Sequence, residues 1–160
     1  MILSIDPGTK QSGWVLFDGT RVRDSGTDEN DAVLDIIRLY GGYIAAGLHE
    51  PVTLAIERFE ARGMPLGDDS LETLIWTGRF IQAWHRPEEV KRVLRRYVKL
   101  HLCGSARAKD PNVRAALLDR FGGQAAAVGK KASPGPLYGV SSHAWAALAV
   151  AVTAREALAA

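Results

Sequence analysis

The sequence predicts an α/β fold, a five-stranded mixed sheet flanked by helices. Three observations predict it. Short apolar runs of strand length alternate with longer stretches whose apolar residues recur at helical spacing. The elements run in the order β-β-β-α-β-α-β-α-α, the alternation of an α/β chain with a mixed sheet. The chain has 160 residues, 47% hydrophobic and 24% charged, an ordinary globular composition and length for one domain spanning residues 1–160 with its own core. Cys103 is its one cysteine, so no internal disulfide forms.

Residues 1–6 hold Ile2, Leu3 and Ile5 and end at Asp6, which reads as a buried strand. Pro7-Gly8-Thr9 is a turn, residues 13–17 (GWVLF) a second strand, and Asp18-Gly19 a hairpin signal leading into a more exposed third strand at 21–25. From about residue 28 to Gly47 the period changes: Val33, Ile36, Ile37, Tyr40 and Ile44 fall at helical spacing. Residues 52–56 (VTLAI) are a fourth strand with Glu57 at its end, and 60–69 read as a loop. A helix over 70–84 carries two apolar stripes, Leu71/Leu74/Ile75/Gly78/Ile81 and Trp76/Phe80/Trp84. One stripe suffices to dock a helix on a sheet. The aromatic one is therefore the candidate dimer surface, with burial between two layers of the same chain as the other reading.

Residues 90–94 are a fifth strand, and 97–103 a short helix or turn ending at Gly104. Asp110-Pro111 is a helix start, with Asp110 as N-cap and Pro111 in the first helical position. That helix runs to Phe121 and stops at Gly122-Gly123. Residues 123–140 read as a flexible basic loop, and Ser141 or Ser142 caps a last helix reaching about Ala157. The apolar stretch 144–154 is too short to cross a bilayer, and the first residues lack the basic segment and long apolar run of a secretion signal. The expectation is a cytoplasmic protein without membrane contact.

The net charge of +2 conceals an asymmetry. Residues 1–89 carry 8 Lys/Arg and 15 Asp/Glu, whereas residues 90–160 carry 12 and 3. A basic half suits a polyanionic partner; a solvated basic face is the alternative.

Asp6 and Glu57 each close an apolar strand. A carboxylate there is costly unless it is paired or binds metal. Two of them on adjacent strand ends repel, and a divalent cation resolves the repulsion. In the competing reading Asp6 starts an Asx-turn at Pro7-Gly8 and Glu57 pairs with Arg58 or Arg62.

Four segments in order extend the metal reading. ILSIDPGTKQSGWVLFD resembles the opening of the RuvC-type Holliday junction resolvases, members of the RNase H-like superfamily. LAIERFEARG resembles their second motif, a strand ending in Ile-Glu. VKLHLCG followed by Lys109 resembles their Val-Lys…Gly…Lys segment, and SSHAWAALAVAV their final helix. The segments 57–67 and 134–140 look most like phage-encoded members, which would place the protein in a bacterial host's cytoplasm.

The resemblance implies an RNase H-like nuclease domain that resolves four-way DNA by paired nicks. It implies metal ligation and catalysis by Asp6, Glu57 and His143, with Mg²⁺ (or Mn²⁺ as substitute), two ions per site. The family's last helix usually presents a second ligand, an Asp, three residues after the first. Here that position is Ala146. Lys99 and Lys109 match family positions associated with DNA near the scissile phosphate. Arg107 lies between them, Lys130 and Lys131 read as a second phosphate clamp, and Arg92, Arg95 and Arg96 extend the basic field. Such contacts make binding weaken steeply with salt. Phe59 and Met64 are candidate wedges for a junction centre, with local core as the other reading.

Cutting two arms requires a symmetric pair of subunits, hence a homodimer. Three rivals stand beside this reading. One is an RNase H-like nuclease for other branched DNA or hybrids. Another is a catalytically weak junction binder, given Ala146. DPGTKQSG also resembles the phosphate loop of actin-like ATPases, but those need two such domains, so no nucleotide cofactor is expected.

Overall fold

The computed structural model describes residues 1–47, 51–61, 63 and 65–157. Strands β1 (Ile2–Asp6), β2 (Gln11–Phe17), β3 (Val22–Glu29), β4 (Thr53–Arg58) and β5 (Lys91–Leu94) form one sheet in the order β3-β2-β1-β4-β5. The pairs β1–β2 and β2–β3 are antiparallel, and β1–β4 and β4–β5 are parallel. The sheet is therefore mixed and five-stranded, as its sequence predicts. The helices are α1 (Asn30–Ala45), α2 (Asp68–Ala83), α3 (Arg95–Cys103), α4 (Asp110–Arg120), α5 (Gln124–Val128) and α6 (Ala144–Ala157). A small hairpin, β6 (Gly129–Lys130) and β7 (Ser133–Pro134), precedes α6. Among the described residues no helix is long and apolar enough to cross a membrane.

Strand alternation divides the core in two. Leu3 and Ile5 of β1, with Leu54 and Ile56 of β4, meet Val33, Leu34 and Ile37 of α1 and Phe80 of α2. Ile2 and Ala55 face the other way, onto Val98 of α3, Leu117 of α4 and the nearly all-buried α6. Two features fasten α6 to this second face. The buried Ser4 hydroxyl donates to the Ala147 carbonyl at 2.7 Å. Gly13 leaves room for the start of the helix: a Cβ there would lie 2.2 Å from the His143 carbonyl oxygen. Any side chain would push β2 and the residues before α6 apart.

Several elements differ from expectation. β2 begins at Gln11, β3 extends to Glu29, and α3 follows β5 directly from Arg95. Residues 123–140 are ordered rather than a flexible loop: Leu137 is buried and its N–H donates to the Ala127 carbonyl at 2.8 Å. α6 starts at Ala144, after a turn in which the Ser141 and Ser142 carbonyls accept from the N–H groups of Ala144 and Trp145.

The largest correction concerns α2. Phe80 is 0% and Trp84 3% exposed, and Trp76 packs against the same core with its ring 5.7 Å from that of Phe80. Phe80 and Trp84 therefore dock the helix on its own sheet and offer no surface to a partner, while Trp76 is half-buried at the edge of that core. Leu71, Leu74 and Ile75 of the aliphatic stripe face outward, at 45%, 36% and 57% exposure, while Ile81 packs against the core. The larger apolar area of the aromatic rings gains more from burial, so it takes the inside.

Candidate active site

Ile5 pairs with Ile56 across the parallel β1–β4 ladder. The next residues, Asp6 and Glu57, therefore stand side by side on the face that carries α3, α4 and α6. Both carboxylates are nearly buried, with side-chain exposures of 12% and 14%. The turn after Asp6 is fastened without it. The Gly8 N–H donates to Ser12 Oγ at 3.1 Å, Ser12 Oγ donates to Asn30 Oδ1 at 2.6 Å, and Asn30 Nδ2 donates to the Gly8 carbonyl at 3.0 Å. This network replaces the Asx-turn alternative and leaves the Asp6 carboxylate free of the turn.

His143 sits over Gly13, the cross-strand partner of Asp6. Its Nδ1 lies 3.9 Å from Asp6 Oδ2, and its side chain is 63% exposed. Among the described residues Glu57 does not pair with Arg58, as one sequence reading had it; Arg62 lies outside the described residues. Its partner is Arg95 at the start of α3. Arg95 Nη1 donates to both Glu57 oxygens at 3.1 and 3.3 Å, and Nη2 donates to both oxygens of Asp110 at 2.8 and 2.9 Å. Asp110 is free for this because it is the first residue of α4 rather than its cap. Lys109 occupies the cap position, and its N–H donates to Asn112 Oδ1 at 2.9 Å.

These groups line a cleft of about 410 Å³ that gathers Asp6, Glu57, Phe59, Lys99 and His143 in one place. Arg114 and Ala146 also form its wall, and Lys99 Nζ is 3.8 Å from Asp110 Oδ1. The remaining expected DNA contacts are not in it. Arg107 and Lys109 are exposed on the approach to α4. Lys130 belongs to β6 and Lys131 to the turn after it, and the Val22 N–H donates to the nearby Pro136 carbonyl. Val22 pairs with Phe17, at the end of the sheet away from Asp6, so the anchor of that hairpin is remote from the carboxylates. Met64 lies outside the described residues. A second groove of about 490 Å³ involves Arg58, Arg92, Arg96 and Tyr97 beside the edge strand β5.

Sequence reasoning missed the Arg95–Asp110 pair as part of the site. Its only signals were an arginine directly after a strand and an aspartate read as a helix cap.

Burial pushes the Asp6 carboxyl up to about 7, with the negative charge of Glu57 the next cause; Asp110 adds to the rise and Arg95 opposes it. Burial also raises Glu57, against the pull of Arg95. Folded Asp6 thus binds its proton more tightly than the unfolded chain does, whose carboxyl keeps its ordinary value of 3.8. Its ionisation costs stability above about pH 7, and that cost disappears as the pH falls toward 4. In metal-free buffer, lowering the pH from about 8 to about 5.5 is expected to raise the melting temperature of the wild type relative to Asp6→Asn, which lacks this group. Parallel shifts of the two proteins, followed by circular dichroism, would contradict the buried, repelled carboxylate.

The donor set suits a hard divalent cation: carboxylates with one imidazole. Asp6 and His143 face each other at the mouth of the cleft, with Oδ2 and Nδ1 3.9 Å apart, and would hold such an ion together with Glu57. Among the described residues, however, no three acidic, histidine or cysteine side chains converge as a ready-made metal cage. Glu57 is instead engaged by Arg95.

No family model matches the chain, and no curated protein sequence matches it. Solved structures do. The Thermus thermophilus RuvC structure in complex with a Holliday junction substrate is 19% identical at a TM-score of 0.64, covering 98% of this chain and 93% of that one. A second Thermus thermophilus RuvC structure is 18% identical at a TM-score of 0.59, covering 96% and 92%. The sheet order, the flanking helices and this near-complete overlap together show that the chain has the fold of these structures, an RNase H-like mixed sheet with flanking helices.

Proposed function

We propose that this protein is a structure-selective DNA endonuclease that resolves four-way junctions. The observation that carries the reading is the pair of buried carboxylates, Asp6 and Glu57, abreast at two parallel strand ends with His143 beside them. Its support is the likeness in fold to a RuvC bound to a Holliday junction. Asp6, Glu57 and His143 would hold Mg²⁺ or Mn²⁺, two ions per site. Such ions supply an activated water and stabilise the leaving oxygen of a phosphodiester. Lys99 and Arg114 in the cleft wall, and Arg107 and Lys109 near it, contact the phosphates. Phe59, in the same wall, stacks against an unpaired base in this reading. The Arg58/Arg92/Arg96 groove offers a second phosphate track.

The test is nicking of a synthetic four-way junction, a fork and an RNA–DNA hybrid in Mg²⁺ and in Mn²⁺. Paired nicks in the junction are expected. Preferential cutting of the hybrid would assign another nuclease activity. Binding without cutting would favour the second reading, a junction binder of little activity. The specific observation behind that reading is Ala146, which puts a methyl group in the cleft wall one turn after His143.

Paired nicks need two sites, and the homodimer is proposed to form through the outward aliphatic stripe of α2, Leu71, Leu74 and Ile75. Ile75→Glu is expected to turn a dimer into a monomer in sedimentation while changing stability by less than about 1 kcal/mol, as surface substitutions do. An unchanged sedimentation coefficient would remove this face from the assembly.

A further inference from the structure

Among the described residues, Arg95 is the cation that hydrogen-bonds both sides of the cleft floor. Its Nη1 serves Glu57 and its Nη2 serves Asp110, each through two hydrogen bonds. In each half one nitrogen is shared between two oxygens, a weaker geometry than the fork in which two nitrogens each serve one oxygen of a carboxylate. The two halves differ in environment. Glu57 is 14% exposed, whereas Asp110 is 70% and Arg95 41% exposed. The Glu57 half therefore lies in a low-dielectric corner and the Asp110 half lies in solvent. Arg95 also leaves a charge uncovered: among the described residues no hydrogen bond reaches the Asp6 carboxylate, although Asp6 stands next to Glu57 on the same face. The Arg95 charge acts on Asp6 only across space, since all its hydrogen bonds go to Glu57 and Asp110.

We propose that Arg95 is the resident counter-cation of this site and exchanges with a divalent metal ion at Glu57, remaining tethered to Asp110 when the ion enters. This rests on the metal-dependent reading given above.

A divalent ion can do what Arg95 does not, neutralising Asp6 and Glu57 together. The cost of release is small, because the guanidinium is already partly in water and keeps its solvent-side partner. Arg95 thus sets the metal affinity. It spares the empty site from two unpaired buried carboxylates, and it weakens metal binding by the free energy of the contact that must break. Arg95 is a positioning residue, acting through Glu57, and its removal should improve metal binding while damaging the metal-free fold.

The experiment titrates the full chain with Mn²⁺ alone, by calorimetry at fixed pH, in the wild type, Arg95→Met and Lys99→Met. Lys99→Met controls for the field, since it deletes an equal charge from the same cleft without vacating Glu57. Arg95→Met is expected to bind Mn²⁺ about tenfold more tightly than the wild type, the change that about 1.4 kcal/mol produces, and to melt at a lower temperature without metal. Lys99→Met should gain clearly less. Arg95→Gln, which is neutral but still polar, serves the same comparison if Arg95→Met does not fold. Mn²⁺ binding by the wild type with no gain in the Arg95 variants, or with an equal gain in Lys99→Met, would overturn the exchange and leave the metal-dependent reading standing. No Mn²⁺ binding by wild type or variants would overturn both. Binding by the Arg95 variants alone would support the exchange in its strongest form.

Discussion

Replacing Asp6 with asparagine is expected to abolish nicking of a four-way junction, retain binding to it, and make the metal-free protein more stable. Loss of one electrostatic contact to a transition state costs about a hundredfold or more in rate, and a lost metal ligand should cost no less. On the proposed function binding survives, because the phosphate contacts assigned there to Lys99 and Arg114 do not involve Asp6. The gain in stability follows from burial. The carboxyl of Asp6 is pushed up to about 7 because it is nearly enclosed and faces Glu57. An amide of the same shape removes that repulsion, for a gain of about 1–3 kcal/mol near pH 8. Thermal unfolding and a nicking assay on the same preparation check both halves. Unchanged turnover would refute the site, and lower stability would show that the Asp6 charge is compensated in the empty protein.

The second large effect is structural. Phe80→Ala is expected to destabilise the fold by about 3–5 kcal/mol, the range for deleting a fully buried aromatic ring. In a chain of this size that is a fall of roughly 6–20 °C in melting temperature. Phe80 is completely enclosed between α2 and the sheet, against Leu54, Ile56 and Trp76. The loss should be independent of protein concentration, because the cavity lies within one chain. A normal melting temperature combined with dissociation of an oligomer would instead return the aromatic stripe to a subunit interface.

These two residues mark what the sequence conveys and what it withholds. Asp6 and Glu57 were legible because a carboxylate after an uninterrupted apolar run is a local signal, and the run itself fixes which way the preceding side chains alternate. His143 was legible only through its resemblance to a family motif; a histidine among small residues has no periodicity of its own. The two stripes of α2 were visible in spacing, but spacing carries no information on which stripe meets the sheet. That choice depends on the area each buries against Leu54, Ile56 and α1, residues distant in the chain. Arg95 and Asp110 were hidden for a related reason. They are 15 residues apart, each has an ordinary local explanation, and only the docking of α3 beside α4 turns a strand-end arginine and a helix-start aspartate into one network. The order of residues 123–140 was missed because its glycines and prolines signal turns equally well in a compact segment and in a mobile one.

The fastening of α6 by Ser4 and Gly13 makes the cleft a vise with one fixed jaw. Asp6, Glu57 and His143 ride on β1, β4 and a helix start locked to them, so their mutual spacing cannot drift without breaking the sheet. Arg95 and Asp110 belong to the other jaw, carried by α3 and α4 and joined to each other through residues 104–109. Chemistry and fit are thereby assigned to separate pieces of chain. Changes in that connecting segment reach the Arg95–Asp110 side of the cleft and leave the fixed jaw intact.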